Sequence, residues 1–171
     1  MANRQGQTRS SRVVIVGYGN PLRRDDGVGW VIAQQLLDHP LSGLPTLHIQ
    51  VIACRQLTPE LAEPVSQADL VLFLDAHGPA PDEPAGNMQQ TTITPEPQFV
   101  TPLLHHLTPE QLLASTLEWY GQSPAAMLIT VAGSSFDYGE TLTPLVAASL
   151  PTVRRQIETI LMSHSERTHT R

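Results

Sequence analysis

Cysteine is almost missing from this 171-residue chain. Cys54 stands alone, which excludes an internal disulfide framework and a multi-cysteine zinc site and fits a reducing compartment. Aromatic residues make up 5% and charged residues 15% of the sequence, the latter well under the roughly 25% of an average globular domain. No run approaches the ~20 apolar residues that a membrane-spanning helix needs. The opening stretch MANRQGQTRSSR has no apolar core of the kind a secretory signal carries. Positive charge is in deficit too: the formal net charge is -6, whereas a nucleic-acid binder usually presents a basic face. The expectation is a soluble cytoplasmic protein with no nucleic-acid or membrane partner.

What is present is proline, fifteen of them, between short apolar runs. The length suits one compact domain. The polar ends, residues 1–11 and 164–171, read as disordered tails around a single domain over 12–163. Buried strands are predicted at Arg12–Gly17, Leu47–Ala53, Leu70–Ala76 and Met127–Gly133. The polar, β-prone Gln89–Thr94 reads as an edge strand. Helices fall between them: one with Val28, Val31, Ile32 and Leu36 on its apolar face, one over Thr108–Tyr120 with Leu112, Leu113 and Leu117 inward. A long third helix spans Pro144 to Met162, kinked or divided at Pro151. Three helix starts share a Thr-Pro pair, at Thr58, Thr108 and Thr143, and Gln111 completes a capping box with Thr108. Alternating strands and helices imply an α/β domain with a mainly parallel sheet covered on both faces. Ligands of such sheets sit beyond the carboxyl ends of the strands.

Two adjacent acids stand where that rule points. Gly17-Tyr18-Gly19 opens like a dinucleotide fingerprint, but the sixth position is Leu22, Pro21 lacks a backbone donor, and Asp25 and Asp26 would repel a pyrophosphate. One acid can cap the following helix; the second is left over for the crevice. Asp75 ends an apolar run, a costly place for a carboxylate unless it is exposed, paired or coordinating. If the first and third strands are neighbours, Asp25, Asp26 and Asp75 crowd one crevice. His77 adds a ligand or base, and so do His105 and His106 ahead of the Thr108 helix. Carboxylate with imidazole suits a borderline divalent ion such as nickel or zinc, although no H-E-x-x-H signature occurs. Cys54 in its apolar run reads as inert core, and Ser134-Ser135 lack a nucleophile elbow.

The stretch VVIVGYGNPLRRDDGVG resembles the N-terminal signature of the hydrogenase maturation proteases: G-x-G-N-x-L, an acid pair, then G-x-G. The likeness continues through LVLFLDA, a histidine ahead of the helix ending in EWYG, and GETLTPLV, covering Arg12 to about Met162. The resemblance implies a three-layer α/β/α sandwich with a five-stranded, mostly parallel sheet holding one reversed strand. It implies an endopeptidase of aspartic type that removes the C-terminal extension of the NiFe-hydrogenase large-subunit precursor after nickel insertion, acting as a monomer. The metal trio falls on Asp26, Asp75 and His106, with His105 the alternative for the last. Nickel is then supplied by the substrate, Asp26 or Asp75 is the candidate general base, and Asp25 is left as the helix cap. A non-catalytic nickel-sensing chaperone of the large subunit is the alternative, and a general zinc hydrolase a second. Two departures stand out: Asp26 occupies a position often held by glutamate, and Cys54-Arg55-Gln56-Leu57-Thr58-Pro59-Glu60 replaces an Asp-Gly-Gly-Thr-like segment. The second departure resembles the branch serving bidirectional NAD(P)-linked hydrogenases, with Arg55 or Gln56 available to recognise substrate.

Overall fold

The computed structural model describes residues 10–96 and 107–169. Five strands form one sheet: β1 (Ser11–Tyr18), β2 (Leu47–Cys54), β3 (Leu70–His77), β4 (Met88–Ile93) and β5 (Ala125–Ala132), in the order β2-β1-β3-β5-β4. All pairings are parallel except β4 with β5. The reversed strand is the polar one, at the edge, where a row of glutamines and threonines meets water at no cost.

Helices cover both faces. On one side α1 (Val28–Asp38) and α4 (Pro144–His169) bury Ile32, Leu36, Val153 and Ile157 against Val13, Ile15, Leu72 and Leu74. On the other, α2 (Ala62–Ser66) and α3 (Pro109–Tyr120) bury Val65, Leu112 and Leu113 against Val14, Val16, Val71 and Phe73. Successive residues of a strand point to opposite faces, so the apolar run of β3 fills both layers, Phe73 facing one and Leu72 and Leu74 the other. This is the three-layer α/β/α sandwich.

Several local expectations need correction. Thr108 does close the capping box with Gln111, but Thr58 caps nothing with its side chain, and the Thr143 hydroxyl is given to Asp25 instead. Leu117 is half-exposed rather than inward. The buried positions of that turn are Ser115 and Thr116, whose hydroxyls turn back to the carbonyls of Gln111 and Leu112. Pro151 does not divide α4, which runs on to His169. Residues 164–169 of the stretch read as a tail are therefore helical. His164 Nε2 lies 2.9 Å from Ser11 Oγ and Ser165 Oγ 2.6 Å from Thr46 Oγ1, contacts between residues distant in sequence that a composition reading misses. Among the described residues no helix is long and apolar enough to cross a membrane.

Candidate active site

The β1–α1 turn is built around close backbone approach. A Cβ on Gly29 would stand 2.1 Å from the Leu74 carbonyl oxygen and 2.5 Å from that of Tyr18, so only glycine lets α1 settle onto β1 and β3. Gly19 has φ +132, and a Cβ there would lie 1.9 Å from the carbonyl oxygen of Asp26. The glycines of the motif thus bring the backbone of Asp26 down over the end of β1. Asn20 then fixes the side chain. Its N–H donates to Asp26 Oδ2 at 3.0 Å, and its own Oδ1 accepts from the Leu22 N–H at 3.0 Å, closing the turn.

The two adjacent acids part company here. Asp25 is completely buried and caps neither helical segment beside it. Its carboxylate accepts four hydrogen bonds from the β5–α4 loop: the N–H groups of Ser134 (2.7 Å), Ser135 (3.1 Å) and Thr143 (2.7 Å), and the Thr143 hydroxyl (2.8 Å). Burial pushes its pKa up, but the four donors outweigh that and hold it below the ordinary carboxylate value. Backbone bonds between Arg24 and Gly139 and between Gly139 and Leu22 extend the same seam. The helix-cap expectation for Asp25 is therefore replaced by a clasp between two loops. The three residues that supply its four donors lie more than a hundred positions away, so no local pattern could reveal them.

Asp26 and Asp75 meet as expected, because β1 and β3 are neighbours. Asp75 is only partly buried, yet its pKa is raised to about 6, chiefly by desolvation and further by the negative charge of Asp26. Opposing this, the Ala76 N–H donates to Asp75 Oδ1 at 2.7 Å and the Tyr18 hydroxyl donates to the same carboxylate. The Tyr18 phenol is held protonated by burial and by Asp75. Tyr18 was missed in the sequence, although the signal was there: it ends β1 on the face that Asp75 shares on the next strand. A carboxyl whose proton affinity is raised by a neighbouring carboxylate gains from a cation standing between the two, so this pair fits a divalent ion.

His105 and His106 lie outside the described residues. Among the described ones, no three His, Cys, Asp or Glu side chains stand together as a metal site. Arg55 and Gln56 are exposed at the carboxyl end of β2, at the mouth of the crevice side of the sheet. The Cys54 thiol is pushed up by burial, the opposite of what a nucleophile needs.

Solved structures share this architecture. The hydrogenase maturating endopeptidase HybD from E. coli superposes with a TM-score of 0.68 at 20% identity, over 90% of this chain and 93% of its own. The NiFe hydrogenase maturation protease HycI from Thermococcus kodakarensis KOD1 gives 0.67 at 22% identity, over 89% and 93%. The hydrogenase 2 maturation peptidase from a Thaumarchaeota archaeon gives 0.61 at 20%, over 88% and 97%. No protein-family profile matches the chain, and no curated protein matches it either. The chain shares the fold of these peptidases over about nine-tenths of its length.

Proposed function

We propose that this protein is an endopeptidase that removes the C-terminal extension of a NiFe-hydrogenase large-subunit precursor once nickel is in place. The observation that carries the reading is the Asp26–Asp75 pair at the carboxyl ends of β1 and β3, set on the fold of the maturation proteases. Nickel belongs to the substrate in this reading. Asp26, with one oxygen tied to Asn20 and Oδ1 accepting no hydrogen bond among the described residues, and Asp75 complete the coordination of that ion. His106 is the third ligand, on the strength of the sequence resemblance. Binding the ion positions the nearby peptide bond against the crevice, converting an encounter into an oriented contact. When bound, the ion polarises a carbonyl or water that reaches it. Asp26 or Asp75 is the base that takes a proton from water in this reading. The reading takes the protein to act as a cytoplasmic monomer.

The test is intact-mass spectrometry of the precursor, nickel-loaded and nickel-free, after incubation with the protein. Loss of a C-terminal peptide from the loaded form alone is the expected result. Binding without cleavage of either form refutes the protease reading and makes the chain a nickel-sensing chaperone. Cleavage of both forms, or of unrelated peptides, makes it a general hydrolase.

A further inference from the structure

The β5–α4 loop that Asp25 clasps also carries Tyr138, the most exposed large apolar side chain among the described residues, at 79%. One exposed ring needs no explanation by itself. Its neighbours give it one. Arg23 pairs with Gly139 of this loop in a short parallel bridge. The Arg24 N–H donates to the Gly139 carbonyl at 2.9 Å, and the Gly139 N–H to the Leu22 carbonyl at 2.9 Å. The loop braces both arginine side chains. Arg23 Nε donates to the Phe136 carbonyl at 3.1 Å. The Arg24 stem lies over Gly139, where an added Cβ would stand 3.1 Å from Cγ and Nε. Arg24 also holds φ 45, a conformation that costs a non-glycine residue energy and persists only where its surroundings fix it.

Neither guanidinium has a carboxylate within ion-pair distance among the described residues, although Asp137 and Glu140 belong to the same loop. The Asp137 carboxylate is given to the Ser135 hydroxyl, at 3.1 Å. Two braced, unneutralised guanidinium groups therefore stand beside an exposed ring, on the turn that also carries Asp26. Tyrosine and arginine are the residues that anchor protein interfaces. A guanidinium already held in place loses little freedom on binding, and its fork matches a carboxylate. In a chain of net charge -6, a positive pair next to a negative one sets orientation: a cation goes to the acids and a carboxylate to the arginines.

We propose that Tyr138, Arg23 and Arg24 form a docking patch for the folded body of the precursor, the arginines meeting a surface carboxylate and the ring an apolar recess beside it. The proposal rests on the maturation reading above and says how the substrate is oriented. The occupant is the body rather than the departing extension. The ion reaches Asp26 and Asp75 only when the body that holds it comes down on the rim of the crevice, and this turn is part of that rim.

The experiment has two arms, run on the parent, Tyr138→Ala, the double variant Arg23→Ala with Arg24→Ala, and Arg155→Ala as a control at an exposed arginine of α4. The first arm is the kinetics of processing of the nickel-loaded precursor, read by mass spectrometry. The second is biolayer interferometry with the mature large subunit, which lacks the extension. Tyr138→Ala and the double variant should bind the mature subunit at least about ten-fold more weakly, and their loss in processing should be carried by KM rather than kcat. Added salt should weaken the parent more than the double variant, and Arg155→Ala should match the parent. Tyr138→Ala removes an exposed ring and should keep the parent's thermal melt, which separates lost docking from lost fold. Variants with the parent's KM and the parent's affinity overturn the proposal, while cleavage by the parent leaves the protease reading standing. A raised KM with undiminished binding of the mature subunit also overturns it, because the extension is then the occupant. A parent that does not bind the mature subunit overturns it too. If nothing is cleaved, the protease reading fails, and interferometry alone judges the patch.

Discussion

Asp25→Asn is the substitution that tests the architecture of the site most directly. The change is isosteric, so it introduces no cavity. It converts one acceptor oxygen into an NH2 group facing donors that already point at it. Of the four bonds to Asp25, three come from backbone N–H groups and one from the Thr143 hydroxyl. Three of them converge on Oδ2 and one, from the Thr143 N–H, on Oδ1, so an amide that keeps its oxygen at Oδ2 loses one charge-assisted bond, at about 1.5–3 kcal/mol. The expected destabilisation is about 1.5–3 kcal/mol, a sizeable share of the ~5–15 kcal/mol that holds a domain folded. Urea denaturation measures it. The pH dependence supplies a second, independent readout. Because the folded-state pKa of Asp25 lies below its ordinary value, its contribution is fully present above about pH 4. It is lost as pH falls through the folded value. The difference in stability between parent and Asp25→Asn should therefore be flat near neutrality and shrink on acidification below about pH 4. A variant within about 1 kcal/mol of the parent, with the same acid limb, would show that the clasp carries no net energy.

Asp75→Asn has the opposite sign. A carboxyl raised to about 6 makes stability fall as pH rises from about 4 to about 6, so removing the charge should stabilise the neutral protein by up to about 3 kcal/mol. Precursor processing by this variant should nonetheless be abolished, a pairing that denaturation and mass spectrometry check together. In Asp26→Asn, loss of the neighbouring charge should lower the titration midpoint of Asp75, read from its side-chain carboxyl resonance. Gly29→Ala drives a methyl into the Leu74 and Tyr18 carbonyls and should cost more than about 4 kcal/mol, seen as loss of soluble folded protein. Thr108→Ala removes a complete capping box and should lower stability by about 1 kcal/mol without affecting Asp26 or Asp75.

The sheet was legible in the sequence because its strands are short β-branched runs with one polar exception, and polarity alone assigned β4 to the edge. The capping box was legible because all its parts lie within four residues. What escaped was whatever depends on distant partners. The helical pattern around Leu117 predicted burial, but α3 outlasts the layer it covers and leaves Leu117, Trp119 and Tyr120 half-exposed. The end of α4 looked like a polar tail because its contacts with Ser11 and Thr46 cross more than a hundred residues. Tyr18 and Asn20 stood in plain view inside the glycine motif, yet their work on Asp75 and Asp26 became visible only with β1 and β3 side by side.

The acid pair joins both kinds of information. Sequence treats Asp25 and Asp26 as near equivalents, since either can neutralise a helix start. The fold separates them completely. One is dry, ionised and saturated with donors, so it has no capacity left for a substrate. The other keeps an unengaged oxygen beside a carboxylate that resents its charge. Fixing the first holds the second in place: the Asp25 bonds hold the β5–α4 loop against the very turn that carries Asp26. Exchanging roles would need an acceptor site with four converging donors on the crevice side, and the crevice presents Asp26 with one, from Asn20. A Glu at position 25 would not fit the clasp, because an added methylene has nowhere to go in a fully buried site. A Glu at position 26 only extends farther into the crevice. That asymmetry predicts that Asp26→Glu leaves the fold intact while Asp25→Glu destabilises it, which urea denaturation of the two variants checks.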